Sequence, residues 1–236
     1  MNVIWNVFDK EAETHVSTRN LPHWDQTGAV TFVTLRLADS MPHSVVQKWH
    51  NEVQQWLQNN GLENRSVDSV LSDPLVSTKA KQELKKFKHR RWHGHLDDCH
   101  GRCPLRNPKL AHVVLESILH FNGTRYDLER LVVMPNHLHL LIQMRTGFQL
   151  RKQLTEFMRF SGRKTNKILN RNGPFWQSEP FDHIVRSEEQ FHYLRNYILE
   201  NPAKAKLRAG EFLFWVHDSE SRATGESCYV TQLSEL

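Results

Sequence analysis

Apolar positions along this chain change their period several times, and each change marks an element. Residues 29–37 (Ala-Val-Thr-Phe-Val-Thr-Leu-Arg-Leu) are β-branched and partly alternating, the pattern of a strand. Pro42 opens a helical stretch to about residue 60, with Val45, Val46, Trp49, Val53, Trp56 and Leu57 at helical spacing and Asn59-Asn60-Gly61 as its stop. Residues 61–106 are the least regular part: a basic helix over 77–91 and a His/Cys/Gly-rich loop over 93–103, read together as an insertion. Asn107-Pro108 starts a helix carrying Leu110, Val113, Val114, Ile118 and Phe121 on one side, ended by Asn122-Gly123. Residues 125–134 and 137–144 read as strands joined at Pro135-Asn136. Residues 148–170 form a long amphipathic helix whose stripe is Leu150, Leu154, Phe157, Met158, Ser161, Thr165 and Ile168. A short strand over 181–186 follows. The last helix starts at Ser187, with Gln190 completing a capping box, and runs to about Glu200, just before Pro202.

The order β, α, α, β, β, α, β, α is an α+β pattern. It predicts a ferredoxin-like antiparallel four-stranded sheet with helices on one face and an α-helical and loop insertion after the first strand. Residues 1–210 read as one domain, with the insertion at about 61–106, and 211–236 as a C-terminal tail.

Composition narrows the class. The chain has 236 residues, 39% hydrophobic and 24% charged, enough to bury a sizeable core. Its opening residues lack the basic region and apolar run of a secretory signal, and no stretch approaches the roughly 20 apolar residues that span a bilayer. Cys99, Cys103 and Cys228 are too few and too unevenly placed for a disulfide framework. The expectation is a soluble protein of the cytoplasm, associated with the nucleoid and having no membrane partner, a monomer or a homodimer.

Charge adds a partner class. The net charge is +5, but eight Lys/Arg stand against one acid between Arg145 and Arg171, and seven against one between Lys79 and Arg91, so the rest of the chain is net acidic. A cationic face on an acidic body suits a polyanion, because clustered Lys/Arg release counterions from a phosphate backbone. A merely solvated helix face would give the same count.

The candidate chemistry begins at His137-Leu138-His139. Strand alternation puts both imidazoles on one face and Leu138, Leu140 and Ile142 on the other. Paired imidazoles are a natural metal clamp, although His-x-His alone is a weak signal in a chain with 15 histidines. A second cluster, His93-Gly-His95-Leu-Asp-Asp-Cys99-His100-Gly-Arg-Cys103, has the composition of a small zinc knuckle or of a polar loop.

The flanks of the first pair carry a resemblance. Leu131-Val-Val-Met-Pro-Asn-His-Leu-His-Leu-Leu-Ile142 resembles the signature of the HUH endonuclease superfamily and, more narrowly, the REP-associated tyrosine transposases. Leu21-Pro-His-Trp24, residues 32–40, Phe175-Trp-Gln177, residues 181–186 and Tyr197-Ile-Leu-Glu-Asn-Pro202 extend the resemblance over roughly residues 20–208. It implies a metal-dependent endonuclease and strand transferase acting on single-stranded or hairpin DNA of the repetitive extragenic palindrome kind, through a 5′-phosphotyrosine. In that reading His137 and His139 are metal ligands, Asn201 is the third, Tyr197 is the nucleophile, and the cofactor is Mg²⁺ or Mn²⁺. Asn201 would otherwise be a helix C-cap before Pro202.

The helix phase agrees on the tyrosine: Phe191, Leu194 and Ile198 form a buried stripe with Tyr197 on its edge, and Tyr193 lies nearly opposite Phe191. Without the resemblance, Tyr197 reads as a packing tyrosine. A phenol titrates at about 10 and needs activation, for which Asp182 and His183 are candidates. Arg151, Lys152, Arg159, Arg163 and Lys167 fall off the apolar stripe of their helix and suit phosphate contacts. Trp24, Trp176 and Phe175 are candidate stacking surfaces for unpaired bases. Two other readings share these residues: a non-catalytic hairpin-DNA-binding protein, and a metal-dependent hydrolase that uses water.

Overall fold

The computed structural model describes residues 3–18, 22–217 and 229–230. Within the stretch that sequence leaves as a lead-in, β1 (His15–Thr18) and β2 (Pro22–Asp25) pair as an antiparallel hairpin. The β-branched run that follows is β3 (Val30–Arg36).

Residues Asp39–Gly101 form a compact unit of their own. It holds α1 (His43–Asn59), α2 (Val67–Ser72) and α3 (Thr78–Asp97). The excursion therefore starts at Asp39, earlier than position 61, because α1 packs with α3 through a small core of Val53, Leu57, Val70 and Leu84. Helix α3 also runs further than residue 91, taking residues 93–97 out of the expected loop, with His95 in its last turn.

The other unit continues with α4 (Pro108–Leu119), whose N-cap Asn107 accepts a hydrogen bond from the Lys109 amide. The hairpin β4 (Tyr126–Val133) and β5 (His137–Met144) follows, then α5 (Leu150–Ile168), β6 (Phe181–Ile184) and α6 (Glu188–Lys204). The expected tail contributes β7 (Leu213–Val216) and the two-residue β8 (Tyr229–Val230). The sheet is antiparallel throughout, in the order β6-β3-β5-β4-β7-β8, and so wider than the four strands expected.

Helices do not stay on one face. Strand β4 is buried at every position and β5 at all but Gln143, so both sides of these strands must be covered. On one side α4 and α5 lay Leu110, Val114, Leu154 and Phe157 on Val33, Leu35, Leu131 and Leu140. On the other, α6 lays Phe191, Leu194 and Ile198 on Phe32, Val132, Leu141 and Phe214. Each such side chain contributes about 1.5–3 kcal/mol on burial, so neither layer is optional. A bulge between Leu128 and Arg130 lets Leu128 and Leu131 share one face although they are an odd number apart. Among the described residues no helix is long and apolar enough to cross a membrane.

Candidate active site

The polar residues of the sheet gather on the face that α6 covers. In antiparallel register Thr34 pairs with His139 and Arg36 with His137, and directly paired residues share a face. Five of these polar groups are deeply buried: Thr34 at 1% exposure, and Asn136, His137, His139 and Asn201 at 0%. Buried polar atoms need partners, and the strands supply them.

Asn136 Oδ1 lies 2.6 Å from His137 Nδ1. An amide oxygen only accepts, so His137 carries its proton on Nδ1 and presents a lone pair at Nε2. Thr34 Oγ1 lies 2.8 Å from His139 Nδ1. The two Nε2 atoms converge to 3.1 Å, with the ring centroids 4.6 Å apart and the planes at 71°. A single proton between them satisfies this geometry when Thr34 donates to His139. A cation satisfies it when the same hydroxyl accepts instead, since a threonine can do either. Oxygen partners on the far nitrogens are what metal-ligating imidazoles ordinarily carry. The residues present therefore fit a divalent metal.

Helix α6 brings the tyrosine. Ser187 caps it by accepting from the Gln190 amide at 3.2 Å, and Gln190 Oε1 accepts from the Arg186 amide at 2.8 Å. Its sheet-facing stripe is Phe191, Leu194, Ile198 and Asn201. Tyr197 sits half-buried at the stripe's edge, its ring 5.3 Å from that of His139 and 6.0 Å from that of Phe32, with the Lys204 ammonium 5.4 Å from its centre. Tyr193 is 66% exposed, as its phase requires. The helix does not stop before Pro202. It continues to Lys204, so Asn201 is not a C-cap, and the bonds Ala205 N–H to Asn201 O and Leu207 N–H to Pro202 O carry the backbone onward. Deep in the other flank, Arg195 Nε meets the Glu129 carboxylate at 2.8 Å, and Arg130 donates to the Arg195 carbonyl, tying α6 to β4. Burial pushes the Glu129 carboxyl above its usual range, against the pull of Arg130 and Arg195.

Several sequence expectations fall elsewhere. Trp176 and Phe175 are 5% and 3% exposed. Trp176 Nε1 donates to Ser161 Oγ at 2.9 Å behind α5, so neither ring offers a base a stacking face. Asp182 pairs in register with Val33 and so lies on the α5 face, away from Tyr197; His183 pairs with Phe32 on the site face and takes a 2.7 Å contact from Gln190 Nε2. Ile168 is 52% exposed and drops out of the α5 stripe.

Arg151, Lys152, Arg159, Arg163 and Lys167 are all exposed on α5, on the opposite side of the sheet from the histidines. Trp24 is 43% exposed. It lines a groove with His15, Arg151, Met158, Pro180 and Asp182, and the Arg186 guanidinium stands 6.0 Å from its ring. Of the second His/Cys cluster, His95, Asp98 and His100 come together, whereas the side chain of His93 lies outside the described residues.

Sequence reasoning passed over Arg36, Thr34 and Asn136. Asn136 stands beside the His-x-His and was visible as a hydrogen-bonding residue; Arg36 and Thr34 become relevant only through the β3–β5 register. Burial lowers the pKa of the Arg36 guanidinium from its ordinary value.

No protein-family model matches the chain, and no curated protein matches it. Among solved structures it is similar to a REP-associated tyrosine transposase bound to a REP hairpin, at 14% identity and a TM-score of 0.41, over 79% of this chain and 74% of that one. A likeness that loose carries no argument about chemistry, and the site stands on its own geometry.

Proposed function

We propose that this chain nicks and rejoins single-stranded or hairpin DNA, with Tyr197 as the nucleophile and a divalent metal held by His137 and His139. The observation that carries the reading is the 3.1 Å convergence of the two Nε2 atoms, each ring anchored at its other nitrogen, beside a tyrosine ring 5.3 Å from His139. Asn201, buried on the sheet-facing stripe one turn beyond Tyr197, is the proposed third ligand. Two imidazoles and an amide are a softer set than all-oxygen magnesium sites, which favours Mn²⁺ over Mg²⁺ of the two candidates. When bound, the metal supplies charge withdrawal from the scissile phosphate and an orientation for it.

The chain's own groups do the rest. The Tyr197 oxygen bonds to phosphorus as its proton passes to solvent, beside the Lys204 ammonium that Glu200 pairs at 2.9 Å. The 3′ oxygen departs and takes up a proton, leaving a 5′-phosphotyrosine. Attack by a second 3′-hydroxyl reverses the step, so strands are rejoined without ATP. Arg36, on the site face opposite His137, is a cation suited to a phosphate oxygen. The α5 cations take the phosphates of a paired stem, and the groove beside Trp24 and Arg151 takes an unpaired base near edge strand β6.

Metal withdrawal tests the reading. Cleavage of a labelled hairpin should cease in excess EDTA and return with Mn²⁺, and replacing His137 and His139 with Ala should abolish it while DNA binding stays within a few-fold, since affinity rests mostly on phosphate contacts. Full cleavage in EDTA would remove the metal from the account.

A further inference from the structure

Among the described residues the unit Asp39–Gly101 holds three helices on a core of four fully buried apolar side chains, Val53, Leu57, Val70 and Leu84, with partly buried Trp49, Trp56 and Phe87 packed against it. So small a core gains most from a covalent or metal staple. The end of α3 offers one. His95, 5% exposed, places Nε2 3.0 Å from Glu52 Oε2 on α1. Its Nδ1 lies 3.8 Å from Asp98 Oδ2, and His100 Nε2 lies 3.7 Å from the same oxygen. One donor atom from each of His95, Asp98 and His100 falls within 4.8 Å of the others.

Glu52 decides what His95 can do. Glu52 Oε2 also accepts from Arg91 Nε at 2.9 Å, so the carboxylate faces His95 as an acceptor. It therefore takes the Nε2 proton of His95 and leaves Nδ1 as a lone pair facing Asp98 and His100. A carboxylate behind a histidine in this way fixes tautomer and ring orientation for metal binding. Donors around a tetrahedral zinc stand about 3.4 Å apart, given bonds of about 2.0–2.1 Å. The observed 3.7 and 3.8 Å are a few tenths wider, a gap the exposed Asp98 has room to close, while His95 and His100, within 4.8 Å of each other, close theirs by movement of the half-exposed His100.

We propose that His95, Asp98 and His100 bind a divalent transition metal of the zinc class, at a site separate from the His137/His139 pair, which staples the end of α3 to the loop after it. Glu52 is the positioning residue. Among the described residues no cysteine belongs to this donor group.

The experiment titrates Zn²⁺ alone into the full chain against a competing chelator. With His137 and His139 both replaced by Ala, one equivalent should still bind, and it should raise the melting temperature. Asp98→Ala and His100→Ala, at exposed and half-buried positions, should each abolish that equivalent with an unchanged circular dichroism spectrum. Glu52→Gln should weaken it about 10–100-fold, and Cys99→Ser should leave it unchanged. If the double histidine variant does not fold, the same loss of one equivalent is read between the unmodified chain and His100→Ala. No zinc bound, zinc indifferent to Asp98 and His100, or zinc lost in Cys99→Ser would each overturn the proposal.

Discussion

The two faces of the central sheet come from the same strands by simple alternation, yet they are built to different ends. Under α4 and α5 the face is mainly apolar: Val33, Leu35, Leu131, Leu140 and Ile142 interlock with helix side chains, and the buried polar groups beside them, Ser161 and Thr165, bond back to carbonyls of their own helix. Under α6 the same strands present Thr34, Arg36, His137 and His139 among Phe32, Val132 and Leu141. Burying imidazoles and an amide at 0% exposure costs stability unless each polar atom is partnered, and Asn136 and Thr34 meet that need in part. One face is chosen for packing. The other gives up some packing to hold chemical groups still.

The largest separation of the two faces should come from Leu140→Ala. It removes a side chain 1% exposed between Val33 and Leu131, and should cost about 2–5 kcal/mol in denaturant unfolding. The folded fraction should keep the cleavage rate per active molecule, because the histidines point the other way. A proportional loss of rate in fully folded protein would mean that the faces are coupled more tightly than alternation implies.

On the site face the opposite pattern is expected. Arg36→Gln should slow cleavage by about 10²–10³-fold, the effect of removing one charged group aimed at a reacting phosphate. Its melting temperature should change little, and hairpin affinity should stay within a few-fold. An unaltered rate would make Arg36 a structural cation only.

The smallest effect lies outside both faces. Replacing Arg159, Arg163 and Lys167 together with Ala should weaken binding and lower the salt slope of log K by about two to three units if each contacts a phosphate. All three are exposed on α5 with no acidic partner among the described residues, so stability should hold. An unchanged slope would move the DNA contact elsewhere, with the basic stretch of α3 as the next candidate.

How far the chain could be read from sequence follows from which signals are local. His137-Leu-His139 is legible because strand period is two, and Tyr197 because its phase against Phe191, Leu194 and Ile198 is fixed by the helix. The second helical layer departs from the one-faced arrangement expected, although Leu131-Val-Val-Met134 and Leu140-Leu-Ile142 are apolar on both parities, the mark of a strand covered twice. Residues 212–216 (Phe-Leu-Phe-Trp-Val) likewise carry a strand signal inside the expected tail. Trp176 could not be placed from its neighbours, since its partner Ser161 lies in α5, fifteen positions away. Arg36 needed the pairing of β3 with β5, a long-range fact that no local pattern contains.

The central claim is that Tyr197 becomes covalently joined to DNA, and the most direct measurement is the denaturation-resistant adduct formed with an end-labelled hairpin. Tyr197→Phe should remove the adduct completely while fold, metal content and hairpin binding persist, at a stability cost of at most about 1 kcal/mol, since only a hydroxyl is lost. Tyr193→Phe, whose ring is stacked 6.5 Å from that of Tyr197 but lies out in solvent, should keep forming it. An adduct that survives Tyr197→Phe and vanishes with Tyr193→Phe would contradict the assignment, and cleavage without any adduct in the unmodified chain would make water the nucleophile.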